Sequence, residues 1–272
     1  MKRSILPILC LVIFAVVAII CPATAGAVGS APPSNDKKKK SSKKNQTTVD
    51  PLYALTLMRQ GSVLMQQGRL EQAIEVFEQA DQIAPGNATV HNMLGLCALR
   101  LGSLDDAMIS FDRALEIIPG FTDARNNRGA TYLAMGEYDL AEVDFMAVLG
   151  DSTYPHQKQV YYNLGLTYIQ RGLLGAAENS FRKTIILPNP VAEGYIELAG
   201  IAQRRGQMET AEELLVEAQL NFPERTDLSF ELGKLLMIMG REDDARPHLE
   251  RVVADAPSSD SAAMARSLLG TG

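Results

Sequence analysis

Residues 88–121 read ATVHNMLGLCALRLGSLDDAMISFDRALEIIPGF, and the spacing inside this stretch decides the fold. Gly95 and Gly102 stand seven apart, Ala107 follows five later, Phe111 four after that, and Pro119 closes the stretch. Apolar residues recur at helical spacing on both sides of Gly102, with Leu94 and Leu101 before it and Ala107, Phe111 and Leu115 after it. The pattern predicts two helices of about 12–14 residues joined at Gly102. Gly95 and Ala107 are small where the two helices cross, so their backbones can approach closely. Pro119 stops the second helix, having no N–H to donate and clashing with the preceding turn. A single hairpin of this size leaves its apolar face uncovered and needs neighbours of the same kind.

The rest of the chain supplies them, with a period of 34 residues. Glycine pairs recur as Gly61/Gly68, Gly129/Gly136, Gly165/Gly172 and Gly233/Gly240, and Ala199/Gly206 replaces the pair in the fifth unit. Five residues after each second glycine come Ala73, Ala141, Ala177, Ala211 and Ala245, followed by Phe77, Phe145, Phe181, Leu215 and Leu249. Pro85 precedes Pro119 by one period, and Pro223 and Pro257 repeat the interval. The pattern resembles the tetratricopeptide repeat (TPR), with units at 54–87, 88–121, 122–157, 158–191, 192–225 and 226–257, the whole array occupying 51–257. The resemblance implies an all-α protein, a right-handed α-solenoid of six helical hairpins. Residues 258–272 then hold a capping helix, Ser261–Leu269, started by Ser258-Ser259-Asp260 and covering the final open face. The third unit lacks its closing proline and runs two residues long, so Asp151-Ser152-Thr153-Tyr154-Pro155 should form an enlarged loop dividing the array. That unit also carries Arg125 and Arg128, whose stems are expected to pack while their heads reach water.

Ahead of the repeats, Lys2-Arg3 and the apolar run Ile5–Ile20 have the plan of a secretory signal, with Ala23-Thr24-Ala25 offering a cleavage site. We therefore expect a signal peptide over 1–25 and an exported, periplasmic protein; the alternative is inner-membrane anchoring by the uncleaved segment. Cys10 follows Leu9 and Cys21 follows Ile20, so neither has the Gly, Ala or Ser that precedes a lipid-modified cysteine. Residues 26–50 form a low-complexity, Lys-rich linker, too polar to offset its ordering entropy and expected to be disordered. Its six lysines suit weak contact with anionic membrane or cell wall, or a solvated, self-repelling tether. The formal net charge of −6 averages two unlike pieces. Residues 1–49 take eight of the 26 Lys and Arg and one of the 32 Asp and Glu, leaving 18 against 31, so residues 50–272 carry −13.

The same composition excludes several functions. With three Cys, two of them in the first 21 residues, there is no disulfide framework, and the scattered His91, His156 and His248 give no metal site. Cys97 reads as a small core residue rather than a nucleophile. The glycines sit at helix crossings and form no phosphate loop, and the acidity of the body opposes nucleic-acid binding. We expect no enzyme activity and no cofactor.

What the TPR resemblance implies is a partner-binding groove lined by the first helix of each hairpin. The family's groove places fall here on Met58 and Met65; Asn92, Leu96 and Leu99; Asn126, Asn127 and Leu133; Tyr162, Asn163, Leu166 and Ile169; Ile196; and Phe230, Lys234 and Met237. The stripe is apolar with amides interspersed. Apolar side chains not required by packing call for a partner, methionine adapts to irregular surfaces, and asparagine pairs with peptide backbone. The partner is expected to be an amphipathic protein segment, neutral or basic, and the Lys and Asn of a carboxylate clamp are replaced by Met58 and Ser62. The loop Asp151–Pro155 leading into Tyr161-Tyr162-Asn163-Leu164-Gly165-Leu166 is similar to the type IV pilus biogenesis proteins of the pilotin group (PilF/PilW/Tgl-like). That resemblance implies a periplasmic factor binding a secretin and promoting its assembly. The alternative is a periplasmic scaffold for cell-wall, division or secretion complexes.

Overall fold

The computed structural model describes residues 51–270, so the expected signal peptide and linker lie outside the described residues. Within them the chain forms thirteen helices and no strand. They are α1 (Pro51–Gln66), α2 (Leu70–Ile83), α3 (Ala88–Leu101), α4 (Leu104–Ile117), α5 (Thr122–Met135), α6 (Tyr138–Leu149) and α7 (Gln157–Gln170). There follow α8 (Leu174–Ile186), α9 (Ala192–Arg204), α10 (Met208–Asn221), α11 (Thr226–Ile238), α12 (Glu242–Asp255) and α13 (Asp260–Leu269). Successive helices pack as hairpins, α1 on α2, α3 on α4, α7 on α8, α9 on α10 and α11 on α12, and neighbouring hairpins pack within each unit. The fold is an all-α stack of TPR-type hairpins with a capping helix.

The two glycines of each unit do different work. At the hairpin turn, Gly102 has φ +79°, left-handed backbone that any side chain would strain, and its N–H closes onto the carbonyls of Ala98 and Leu99. The corresponding glycines of the other units have φ between +73° and +81°. At the crossing, a Cβ on Gly95 would lie 2.6 Å from Phe111 Cε1, so this glycine is the space into which the aromatic ring fits. The closing prolines fall two residues beyond the helix ends, Pro85 after Ile83 and Pro119 after Ile117. One proline escaped the sequence reading. Pro247 lies within α12, where it withholds a backbone donor from the helix.

The chain divides into two compact units, one ending at Asp144 and the other starting at Phe145, so the division falls inside α6 and not at the loop after it. In the first unit Phe77 and Phe111 sit in a core with Leu57, Val76, Leu96, Cys97 and Leu99. Burial pushes the Cys97 thiol up to about 11 against the pull of Arg100, which leaves it protonated and unreactive. Arg128 departs from expectation. Its guanidinium donates to Asp144 at 2.7 and 2.9 Å and to Asp112 at 2.8 Å while the side chain keeps 22% exposure, and Arg125 approaches Asp144 at 3.7 Å. Asp144 is only 2% exposed, and its charge is held by these arginines. The hydrogen bond to Asp144 above all, joined by that to Asp112, outweighs desolvation and raises the Arg128 pKa further.

In the second unit Leu215, Leu249, Leu235 and Leu236 form a core that α13 completes with Ala262 and Ala265. Ser259 caps α13, its hydroxyl accepting from Ala262 N at 3.1 Å. The loop before α7 is ordered by Asp151, whose carboxylate accepts from the backbone N–H of Thr153 at 3.0 Å and from its hydroxyl at 2.6 Å. Tyr154 is buried and meets the His156 ring edge-on at 5.5 Å. No helix among the described residues is long and apolar enough to cross a membrane.

Candidate functional site

First helices adjoin one another within each unit, α1 beside α3 beside α5 in the first, and α9 beside α11 beside α13 in the second. Their shared face is where the expected groove residues fall, and adjacency decides which of them are available.

In the first unit most are not. Met65, Leu96 and Leu99 are at most 4% exposed and belong to the core around Phe77 and Phe111, and Leu133 is likewise buried. All four are packed away from solvent in the free chain. They lie where neighbouring helices close on one another, and the repeat period looks the same for both roles. Asn92, Asn126 and Asn127 are buried too. Asn127 Nδ2 donates to Asn92 Oδ1 at 3.0 Å, linking α5 to α3, while Thr131 Oγ1 donates to the Asn127 carbonyl at 2.9 Å. These amides serve the joint between hairpins, although the Oδ1 atoms of Asn126 and Asn127 have no hydrogen-bond partner among the described residues. Met58 remains half-buried, its sulfur receiving a long contact from Asn87 Nδ2 at 3.6 Å.

The second unit gives a different face. Tyr162, Asn163, Leu166 and Phe230 are buried in the free chain. The Tyr162 ring packs on Phe181 at 5.6 Å, and Asn163 Oδ1 accepts from Gln159 Nε2 at 3.1 Å. Ile169, Ile196 and Met237 keep partial exposure. Lys234 lies over the Phe230 ring at 4.8 Å and pairs with Glu231 at 2.7 Å.

Two residues of this face were missed in the sequence. Glu197 and Glu231 hold the sixth place of the fifth and sixth repeats, where the third and fourth hold Asn127 and Asn163. That change from amide to carboxylate was the available signal. Tyr162 on α7 and Glu197 on α9 perturb one another's proton affinity. Burial first, and the carboxylates of Glu197 and Glu193 second, push the Tyr162 hydroxyl well above its ordinary range, so it stays a donor. Burial also raises Glu197 above the usual carboxylate range; Glu231 adds to the rise, while Arg204 and Tyr162 oppose it.

On the other side of α9 lies a cleft of about 340 Å³ floored by Leu198, Ile201 and Ala202. Glu178 at its rim accepts from both Arg182 and Arg205 at 2.5 Å, so the charges there answer one another. Among the described residues no group of His, Cys, Asp and Glu could hold a metal ion.

No curated protein matches this chain in sequence. Among solved structures, PilW, described as a widely conserved type IV pilus biogenesis factor, superposes with a TM-score of 0.70 at 21% identity, covering 80% of this chain and 98% of that one. PilF of Pseudomonas aeruginosa gives 0.67 at 19% identity, with 80% and 98% covered. A tetratricopeptide repeat protein of Parabacteroides merdae gives 0.63 at 22% identity, with 81% and 88% covered. At these identities the likeness is one of fold. The sequence profiles of the tetratricopeptide repeat match residues 43–88, 58–120 and 196–269, and a second profile of the same description matches 158–185. With more than half of its length matched and its hairpins packed in series, the chain belongs to the tetratricopeptide repeat family, a scaffold for protein interaction.

Proposed function

We propose that the chain is an exported, periplasmic scaffold that holds a segment of a partner protein on the face of its first helices and assists type IV pilus biogenesis by promoting secretin assembly. The observation that carries this reading is the length of the match. PilW, a type IV pilus biogenesis factor, and PilF of Pseudomonas aeruginosa are each covered over 98% of their chains by this one, which in turn is covered over 80% by each. The partner contacts are assigned to the half-exposed apolar residues Met58, Ile169, Ile196 and Met237, with the buried expected residues supporting them from beneath. Deleting the gene should lower heat-stable secretin multimers while secretin monomers persist. Unchanged multimers would refute the pilus assignment.

A second reading, a periplasmic scaffold for cell-wall, division or secretion complexes, is favoured by the P. merdae protein, which matches over 81% of this chain and is described only as a repeat protein. Crosslinking from position 237 in cells, followed by identification of the attached protein, separates the two.

A further inference from the structure

We propose that the solvent-facing side of α4 and α6 in the first unit, apart from the first-helix face, is a second docking surface that takes a basic amphipathic helix of a partner protein.

Ile109 on α4 is 69% exposed, and Val143 and Leu140 on α6 are 64% and 46% exposed. Leu140 stands three residues before Val143, so the two share one face of α6. Ile109 and Val143 hold the same place in consecutive repeats, two residues before the rings of Phe111 and Phe145. One guanidinium links their helices, for Arg128 of α5 donates to Asp112 of α4 at 2.8 Å and to Asp144 of α6 at 2.7 Å. Ile109 lies one turn before Asp112 and Val143 lies next to Asp144, so the link sets both apolar side chains on adjoining second helices. The fold does not require them to be apolar, since the same place holds Glu75, Asn179 and Glu213 in three other repeats. Exposed apolar surface that packing does not call for marks an interaction site.

Charge around the patch selects the occupant. Asp105 and Asp106 stand four and three residues before Ile109, Asp139 stands four before Val143, and all three are exposed along the same faces. Arg113, the one basic residue of α4 and α6, is paired with Glu116 at 2.8 Å. A helix with apolar residues at i, i+3 and i+4 covers Ile109, Leu140 and Val143, and lysine or arginine on its flank meets the aspartates. A second copy of this chain does not fit, because a self-complementary contact sets aspartates against aspartates. Three side chains also fall far short of the ~800 Å² per partner of a stable dimer. The chain's own run Lys37–Lys44 is basic but contains no apolar residue to fill the patch.

The test uses the full chain and two fluorescein-labelled helical peptides of about 18 residues, read by fluorescence anisotropy. Both carry leucine at i, i+3, i+4 and i+7, with lysine on the flanks of one and glutamate on the flanks of the other. The lysine peptide should bind, and the glutamate peptide should bind about tenfold more weakly or worse. Ile109→Gln/Val143→Gln should weaken the lysine peptide by about tenfold or more, and Met237→Glu on the first-helix face should not weaken it. Glutamine favours a helix at least as well as isoleucine or valine, so the double variant should melt no lower than the parent, which separates lost contact from lost fold. No binding, equal binding of the two peptides, or affinity indifferent to the double variant overturns the proposal. Loss on Met237→Glu instead moves the peptide to the first-helix face and overturns it too, while leaving the scaffold reading in place. Self-association of the chain in sedimentation equilibrium that the double variant abolishes gives the patch to a second copy and also overturns it.

Discussion

The sharpest test of the repeat architecture is the substitution Gly95→Ala. The added methyl would lie 2.6, 2.7 and 2.9 Å from Cε1, Cδ1 and Cζ of Phe111, against the ~3.5–4.0 Å of an ordinary carbon contact. Phe111 is fully buried. Overpacking of this kind costs about 1–3 kcal/mol, and the shortfall of nearly 1 Å argues for the upper end. Alanine returns about 1 kcal/mol of helix propensity, leaving a net loss of about 2 kcal/mol. The chain contains its own control. In the fifth repeat the crossing residue is Ala199, and the residue opposite is Leu215 rather than phenylalanine, both 1% exposed. In a Phe111→Leu background the methyl should therefore be accommodated once the introduced leucine adopts a rotamer like that of Leu215. Gly95→Ala should then become neutral or stabilising by up to about 1 kcal/mol. The double-mutant cycle reads a coupling of about 2–3 kcal/mol. Urea unfolding followed by circular dichroism at 222 nm, with m unchanged across the four proteins, measures it. A coupling below about 0.5 kcal/mol would refute the reasoning, because the glycine would then not be there for the ring.

Other consequences are simpler to state. Arg128→Met should destabilise by about 3–5 kcal/mol, since it strips the buried Asp144 of its main partner, and Arg128→Met/Asp144→Leu should recover much of the loss in thermal melts. Pro247→Ala should raise the midpoint by restoring a donor within α12, worth about 1–3 kcal/mol. Cys97 should be silent to a thiol reagent at pH 8 in the native protein and react fully in 6 M guanidinium, as a pKa of about 11 with a buried sulfur requires. For Glu197 the folded pKa lies above the unfolded one, so the folded state binds the proton more tightly. Its contribution to stability is therefore best at low pH and is lost as pH rises through the unfolded and then the folded value. Glu197→Gln should accordingly stabilise more at pH 7 than at pH 4.

The hairpins were legible because their constraints are local and repeated. Gly102 answers a backbone angle, Gly95 answers a ring sixteen residues on, and both recur at one period. The candidate site was legible only in part. Leu96 and Leu99 sit at groove places in the repeat but are sealed by the neighbouring hairpin, and a period of 34 carries no sign of which side of a helix its neighbour covers. Asn127 was read as a ligand for peptide backbone, yet its nearest use is Asn92, a bond across 35 residues that depends on the register between two first helices. Arg128 was read as a solvated head because its partners, Asp112 and Asp144, each stand sixteen residues away on different helices. Such pairings are set by packing and have no signature in spacing alone.

Arg128 and Glu197 show how a charge that the fold compensates differs from one that it holds at a cost. Both are carried by first helices, both are partly withdrawn from water, and both stand where other repeats place residues of another kind. Around Arg128 the balance closes within the first unit, for Asp144 and Asp112 satisfy its fork and Arg125 adds to the charge around Asp144. Around Glu197 burial holds the carboxyl above the usual carboxylate range, and among the described residues no cation makes an ion pair with it. Removing the first charge should cost stability. Removing the second should gain it at pH 7. The opposite signs of those two outcomes follow from charge compensation alone, for one carboxylate–guanidinium cluster is closed by ion pairs within its unit and the other carboxyl has none among the described residues.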